Sequence, residues 1–429
     1  MKFKRKLVLP AILLSIGLST LTGCNLFIFS NNAGEYEPFK DTKNSIFFAL
    51  YNYYGQDGQH FTNRWLGMKD ALEEYGVKVT GDAYEKDARK FKIDMSESIL
   101  PSDTEVYMVN NQTWDTKLQF TKPLTNKKPV AVISTCNGVE FASAQIQANS
   151  PGTQNATMGG FSKNYREAFE NHSLHYLAAK YSCHIAPIFA AGVNAVEGNP
   201  LRNTDRSALR LSVTHWEIKS LEEYDRFKAI DDVGSNPTIK KSDLDKFFTP
   251  TSSDFDAQKL TQRCSKSTFE DIKAIYEANR DVEDTPRTGN KIKVGLIVPG
   301  TVNETVQAYI DYIKNYLSVV YNCEILPEAQ VTTSQDQKAS CISLINSKAQ
   351  FIISLQDDTN RNAAIKEANA NHVYFANAGT CQNDADYAET KDLEYFIGSV
   401  GSSIDEERRA TKVMTEYYLK YIYDRGALA

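Results

Sequence analysis

Between residues 291 and 429, short apolar runs alternate with stretches of helical periodicity, and that alternation leaves few folds open. Ile292-Lys293-Val294-Gly295-Leu296-Ile297-Val298 reads as a strand, 302–321 as a long helix, and Cys323-Glu324-Ile325-Leu326 as the next strand. A helix over 337–347 then leads to Phe351-Ile352-Ile353-Ser354-Leu355, and one over 360–370 leads to His372-Val373-Tyr374-Phe375-Ala376. Residues 394–397 and 405–423 read as a last strand and a closing helix. Uninterrupted apolar runs suit strands buried on both faces. Strands separated by helices specify an α/β fold with parallel sheet and helices on both of its faces.

The same grammar opens the chain. Ile46-Phe47-Phe48-Ala49-Leu50-Tyr51 is a strand, 61–75 is a helix with Phe61, Trp65, Met68 and Leu72 on one face, and Gly76 stops it. Val77-Lys78-Val79 is expected as the second strand of this βαβ unit. A polar helical stretch follows at 94–100, then strands at 106–109 and 129–133. Residues 143–163, rich in Ser, Asn, Gln and Gly, read as a loop, and 165–196 as helix-rich. In 201–290 a strand is expected at 209–216 and helices at 221–230 and 267–278, with a linker at 282–290. The pattern gives a first α/β lobe at 44–200, a connecting region at 201–290 and a second α/β lobe at 291–429. The last segment reads alternatively as an incomplete repeat of the first.

The amino terminus carries a different signal. Lys2, Lys4, Arg5 and Lys6 precede an apolar run from Leu7 to Leu21 that is too short for a comfortable membrane span. It ends in Leu21-Thr22-Gly23-Cys24, which resembles the bacterial lipobox. The resemblance implies a signal peptide over 1–23, lipid on Cys24, a tether over 24–43, and a chain anchored on the extracytoplasmic face of a bacterial membrane. An ordinary transmembrane anchor with a chance cysteine is the alternative.

Composition narrows the function. Lysine and arginine number 48 against 54 aspartate and glutamate, so no basic excess argues for nucleic acid. Cys136, Cys183, Cys264, Cys323, Cys341 and Cys381 are widely spaced with no CxxC, which indicates neither a zinc ribbon nor a dense disulfide framework. His172, His175, Cys183 and His184 lie close together, but no acidic ligand or HExxH accompanies them. GxSxG, Walker and GxGxxG motifs are absent. No enzyme, cofactor or metal is expected.

Two βαβ arrays in one secreted chain resemble the type I periplasmic-binding-protein fold, the receptor component of ABC importers. Residues 57–69, Asp57-Gly58-Gln59-His60-Phe61-Thr62-Asn63-Arg64-Trp65-Leu66-Gly67-Met68-Lys69, resemble the opening loop and helix of the basic-membrane-protein group, which binds nucleosides. In that group the Asn follows the Phe directly, whereas Thr62 intervenes here. The resemblance implies a nucleoside or sugar held between the lobes, with permease subunits as partners. A ligand sensor or surface-interaction lipoprotein of the same fold is the alternative. Because ligands of open parallel sheets bind beyond the carboxyl ends of strands, the candidate contacts are Tyr53, Tyr54, Asp57, Phe61, Asn110 and Asn137 from the first lobe. From the second they are Thr301, Asn303, Gln356, Asp357 and Asn377. Aromatic faces would stack on a sugar or base, and the amides and carboxylates would satisfy its hydroxyls or ring nitrogens.

Overall fold

The computed structural model describes residues 36–51, 58–81, 92–111, 124–136, 138–234, 236–332, 336–356 and 360–427. Its elements run β1 (Ser45–Tyr51), α1 (Gly58–Glu74), β2 (Lys78–Thr80), β3 (Lys92–Asp94), β4 (Glu105–Asn111), β5 (Ala131–Ser134) and α2 (Gly138–Asn149). Then come β6 (Gln154–Gly159), α3 (Lys163–Glu170), β7 (Tyr176–Ala179), a 3-10 turn (Ser182–Ile185), α4 (Ala186–Val196), β8 (Leu209–Ser212) and β9 (Trp216–Ile218). Four helices follow: α5 (Leu221–Ile230), α6 (Lys241–Phe248), α7 (Ala257–Ser265) and α8 (Phe269–Asn279). The remainder is β10 (Ile292–Pro299), α9 (Glu304–Tyr312), β11 (Cys323–Ile325), β12 (Ala329–Val331), α10 (Gln337–Asn346), β13 (Phe351–Ser354), α11 (Arg361–Ala370), β14 (Tyr374–Thr380), α12 (Asp384–Thr390), β15 (Phe396–Ser402) and α13 (Ile404–Ala427). Helix α9 continues through a π turn at Ile313–Leu317 to Val320.

The fold is α/β, with parallel sheets flanked by helices. The first sheet has the order β4-β1-β5-β6-β7-β9, parallel except for the antiparallel edge strand β9. The second has the order β11-β10-β13-β14-β15-β8, with β12 also beside β10, and is parallel throughout. In both, the strand that opens the array lies second from one edge, between two parallel neighbours. Residues 46–50 in β1 and 294–298 in β10 are buried, which is why neither run alternates apolar with polar.

The chain passes between the sheets four times: from β7 to β8, from β8 to β9, from β9 to β10, and back through α13. After β7, α4 packs on β13, β14 and β15, where Gly192 lets the Phe351 ring approach so closely that a Cβ would meet it at 2.2 Å. Strand β8 joins the edge of the second sheet, and β9, a few residues later, joins the edge of the first. After β15, α13 crosses back and lies along α1. Its Ala410, Met414, Tyr418, Leu419 and Ile422 form a buried stripe at helical spacing, sharing a core with Trp65, Met68 and Leu72 of α1.

Several local expectations are corrected. The 77–79 run forms β2, which pairs antiparallel with β3 in a separate two-stranded sheet, so the neighbours of β1 are β4 and β5. The stretch at 94–100 is the end of β3 followed by turns, not helix. Residues 143–163 contain the second half of α2 and all of β6, not a loop. β6 escaped notice because a buried strand written Gln154-Asn155-Ala156-Thr157 looks solvent-facing. Asn155 is fully buried, and its amide donates to Gly138 O at 3.1 Å, Ser143 Oγ at 3.2 Å and Ser173 O at 2.9 Å. The amide nitrogen is bonded in this way, while Oδ1 has no hydrogen-bond partner among the described residues.

Candidate functional site

The carboxyl ends of both sheets face one cleft of about 290 Å³. Gly159, Gly160 and Ser162 reach it from the end of β6, Tyr165 from α3 and Lys180 from the end of β7. The opposite wall is Asn303, Glu304, Thr305 and Tyr309 at the start of α9, with Leu355 after β13 and Ala378, Gly379 and Thr380 at the end of β14. Arg64, Cys136 and His215 also line it.

The two walls touch at the rim. The Lys163 backbone N–H, in the first turn of α3, donates to the carboxylate of Glu304. Beside it Gly160 packs on Thr305, where a Cβ would stand 2.5 Å from Oγ1. At the base, the Lys180 ammonium donates to Gly379 O and to Ser402 Oγ at 3.1 Å. That single side chain from the first sheet thus grips the ends of β14 and β15.

Below the floor lies a buried charged knot. Glu407, in the first turn of α13, is fully buried and accepts from Arg64 Nε at 2.8 Å, Arg64 Nη2 at 2.9 Å and Ser402 Oγ at 2.7 Å. His60 Nδ1 stands 3.0 Å from the same carboxylate and its Nε2 3.0 Å from Cys381 O. Burial pushes the Glu407 carboxyl upward, but the Arg64 and His60 charges and hydrogen bonds outweigh it and hold the group well below the usual range. Its neighbour Glu406 behaves alike. Burial opposes ionisation there, the His215 and Arg409 hydrogen bonds prevail, and the carboxyl titrates near about 2. The cleft floor is therefore anchored by ionised carboxylates already neutralised by this chain's own bases.

Of the residues expected at the ligand, the structure brings Asn303 to the cleft, where it also caps α9 by accepting from Val306 N at 2.9 Å. Phe61 is half-buried on the first turns of α1, off the cleft wall, with the Arg64 guanidinium 5.0 Å over its ring. Thr301 is exposed on the preceding turn. Gln356 follows β13, where its carbonyl accepts from Gln337 Nε2 at 3.2 Å. Asn377 is buried in β14 between Ser354 and Ser399 of the adjoining strands, with neither amide atom hydrogen-bonded. Asn110 pairs with Leu50 in the sheet. Cys24, Tyr53, Tyr54, Asp57, Asn137 and Asp357 lie outside the described residues.

Sequence reasoning passed over Arg64, Lys180, Gly159, Gly160, Ser162, Glu304 and Tyr309. The strand-end rule that proposed Asn137 and Asn377 also points to Gly159–Ser162 and Lys180 once β6 and β7 are recognised as strands.

The histidines near Cys183 have other duties. His175 Nδ1 accepts the Asn155 backbone N–H at 3.0 Å, and burial, then the His172 charge, hold its pKa down at about 3. His184 Nδ1 donates to Tyr181 O at 2.5 Å, and burial, then the Lys180 charge, hold it at about 3 as well. Burial pushes the Cys183 thiol up to about 12. Among the described residues, no group of three or more His, Cys, Asp or Glu is placed to hold a metal ion, and no helix is long and apolar enough to cross a membrane.

No family model and no curated protein matches the chain. Solved structures similar to it include an ABC transporter solute-binding protein from Mycobacterium smegmatis with bound glycerol, at 8% identity, covering 88% of each chain with a TM-score of 0.46. A periplasmic solute-binding protein from Actinobacillus succinogenes 130z with bound D-allose matches at 8% identity over 89% of this chain and 92% of that one, TM-score 0.45. A LacI transcriptional regulator from Bacteroides fragilis matches at 7% identity over 89% and 92%, TM-score 0.45.

Proposed function

We propose that this chain is an extracytoplasmic, lipid-anchored solute-binding protein of the type I periplasmic-binding-protein kind, which takes a small polar ligand, a sugar or nucleoside, for an ABC importer. The observation that carries the reading is the cleft itself. The carboxyl ends of the parallel strands of two sheets meet across a space of about 290 Å³. That is the place and the lower range of size at which such sheets hold small ligands. Tyr165 and Tyr309 offer flat apolar faces from opposite walls, while Asn303, Lys180 and Arg64 offer hydrogen-bonding heads. Contacts made to both walls at once reward the closed state over an open one, so binding needs no reacting group.

The membrane part rests on Leu21-Thr22-Gly23-Cys24. Replacement Cys24→Ala should abolish acylation by labelled fatty acid and shift the chain from the membrane fraction to the soluble one; persistent membrane association would defeat the anchor. The ligand part is tested by a thermal-shift screen of the full chain in detergent against sugars, nucleosides and amino acids. A ligand present at about 100 times its Kd adds about 2.7 kcal/mol of stability and raises the melting temperature. Silence across all three classes would overturn the solute reading.

A further inference from the structure

Residues 219–286 belong to neither sheet, yet they grip both lobes. Toward the first sheet, Tyr224 Oη donates to the carbonyl of the cleft residue Ser162 at 2.6 Å, and its ring lies 5.4 Å from Phe161 and 5.7 Å from Phe169. Arg166 of α3 makes two hydrogen bonds of 2.8 Å to Asp225. The fully buried Asp231, just past α5, accepts from Ser182 Oγ at 2.7 Å and from the Ser182 backbone N–H.

Toward the second sheet, Tyr312 Oη in α9 donates to Ile239 O at 2.5 Å, and Tyr316 Oη accepts from Lys241 N at 2.9 Å. Helix α6 packs on α4 and α7 on β8. Leu244, Phe247, Phe248 and Leu260 share one continuous apolar cluster with Phe189 and Tyr321 of the second lobe and with Phe161 and Phe169 of the first. The lobes therefore do not have separate cores on this side, and Glu37–Ala429 holds together as one compact unit.

We propose that 219–286 is a strap that holds the lobes closed along this side of the cleft, so that solute exchange proceeds without the wide hinge opening of two-lobed receptors. Opening there would pull α5 from α3, or α6 from α4 and α9, and expose aromatic side chains that are now buried. A closing ligand contacts only the cleft walls and does not touch these surfaces. The proposal rests on the cleft reading above.

The test measures distance in the full chain without added ligand, after exhaustive dialysis. Spin labels are introduced through an unnatural amino acid at the exposed Ala148 of α2 and Asn346 of α10, leaving the native cysteines in place. The strap predicts a single narrow interlobe distance in the wild type. The triple variant Tyr224→Phe, Arg166→Ala, Tyr312→Phe, which removes strap contacts and no cleft-lining residue, is expected to lengthen or broaden it by about 2 Å or more, the scale of a true rearrangement. A longer population in the ligand-free wild type would overturn the strap, as would a triple variant with unchanged distances. Should the triple variant fail to fold, the wild-type measurement decides alone. A thermal shift with a solute in a chain that opens freely would sink the strap and leave the solute reading standing.

Discussion

Replacing Arg64 with alanine tests the charged knot under the cleft. The substitution leaves Glu407 fully buried and strips it of two of its hydrogen bonds, at 2.8 and 2.9 Å, while Ser402 and His60 remain. Breaking a buried pair by removing one partner costs roughly 3–5 kcal/mol. The surviving partners place Arg64→Ala at the low end, near about 3 kcal/mol. Unfolding entropy of about 2.1 cal/mol/K per residue gives a body of roughly 390 residues about 0.8 kcal/mol/K, so the melting temperature should fall by about 4 °C. The loss also has a pH signature. In the wild type the carboxyl is held below its ordinary value, so its stabilisation is present above about pH 4.5 and is lost as pH falls through the lower folded value. Without Arg64 the carboxyl loses the largest influence holding it down, so it takes up a proton at higher pH than in the wild type, and protonation relieves the buried charge. The deficit of Arg64→Ala should therefore shrink as pH falls toward the ordinary carboxylate range. Differential scanning fluorimetry across that range, with Glu407→Gln and the double variant completing the cycle, reads both effects. A drop of less than about 1 °C, or a deficit independent of pH, would refute a desolvated and paired Glu407.

Three further outcomes are expected. Gly67→Ala places a methyl 2.1 Å from Arg408 O and 2.3 Å from Thr411 Oγ1, so α1 and α13 must part; overpacking of this kind costs about 1–3 kcal/mol, and an unchanged urea midpoint would show that the two helices do not lie so close. The part-buried His175 and the fully buried His184 are held neutral with pKa values of about 3, so the unfolded chain takes up protons first and stability should fall as pH drops below about 6.5, by up to roughly 1.4 kcal/mol per pH unit for each. His175→Gln should flatten the melting temperature against pH over that interval, and an identical slope would refute the assignment. Lys180→Met removes the ammonium that lines the cleft and holds Gly379 and Ser402; it should weaken any solute found in the screen at least tenfold, or about 1.4 kcal/mol, and equal affinity by calorimetry would take Lys180 out of the site.

The class of fold is legible in the chain alone, because burial on both faces writes itself as uninterrupted apolar runs. Residues 46–51 and 292–298 are legible as strands for that reason, and Leu221–Ile230 as a helix because its buried Tyr224, Phe227 and Ile230 recur at helical spacing. Where a buried strand carries polar side chains, as β6 does with Asn155, the same reading mistakes strand for loop, and the cleft residues Gly159–Ser162 vanish with it. Strand partners lay equally beyond it: Val79 is buried like a central strand, yet it pairs with Ile93 in a small separate sheet. Which sheet each element joins is set by packing between distant parts of the chain. Periodicity shows that α13 has a buried stripe, but not that the stripe lies on α1 more than three hundred residues earlier in the chain, nor that Glu407 ends beneath Arg64. Hydrophobic pattern is a local property of the chain, and the partner that buries it is chosen by closure of the whole fold.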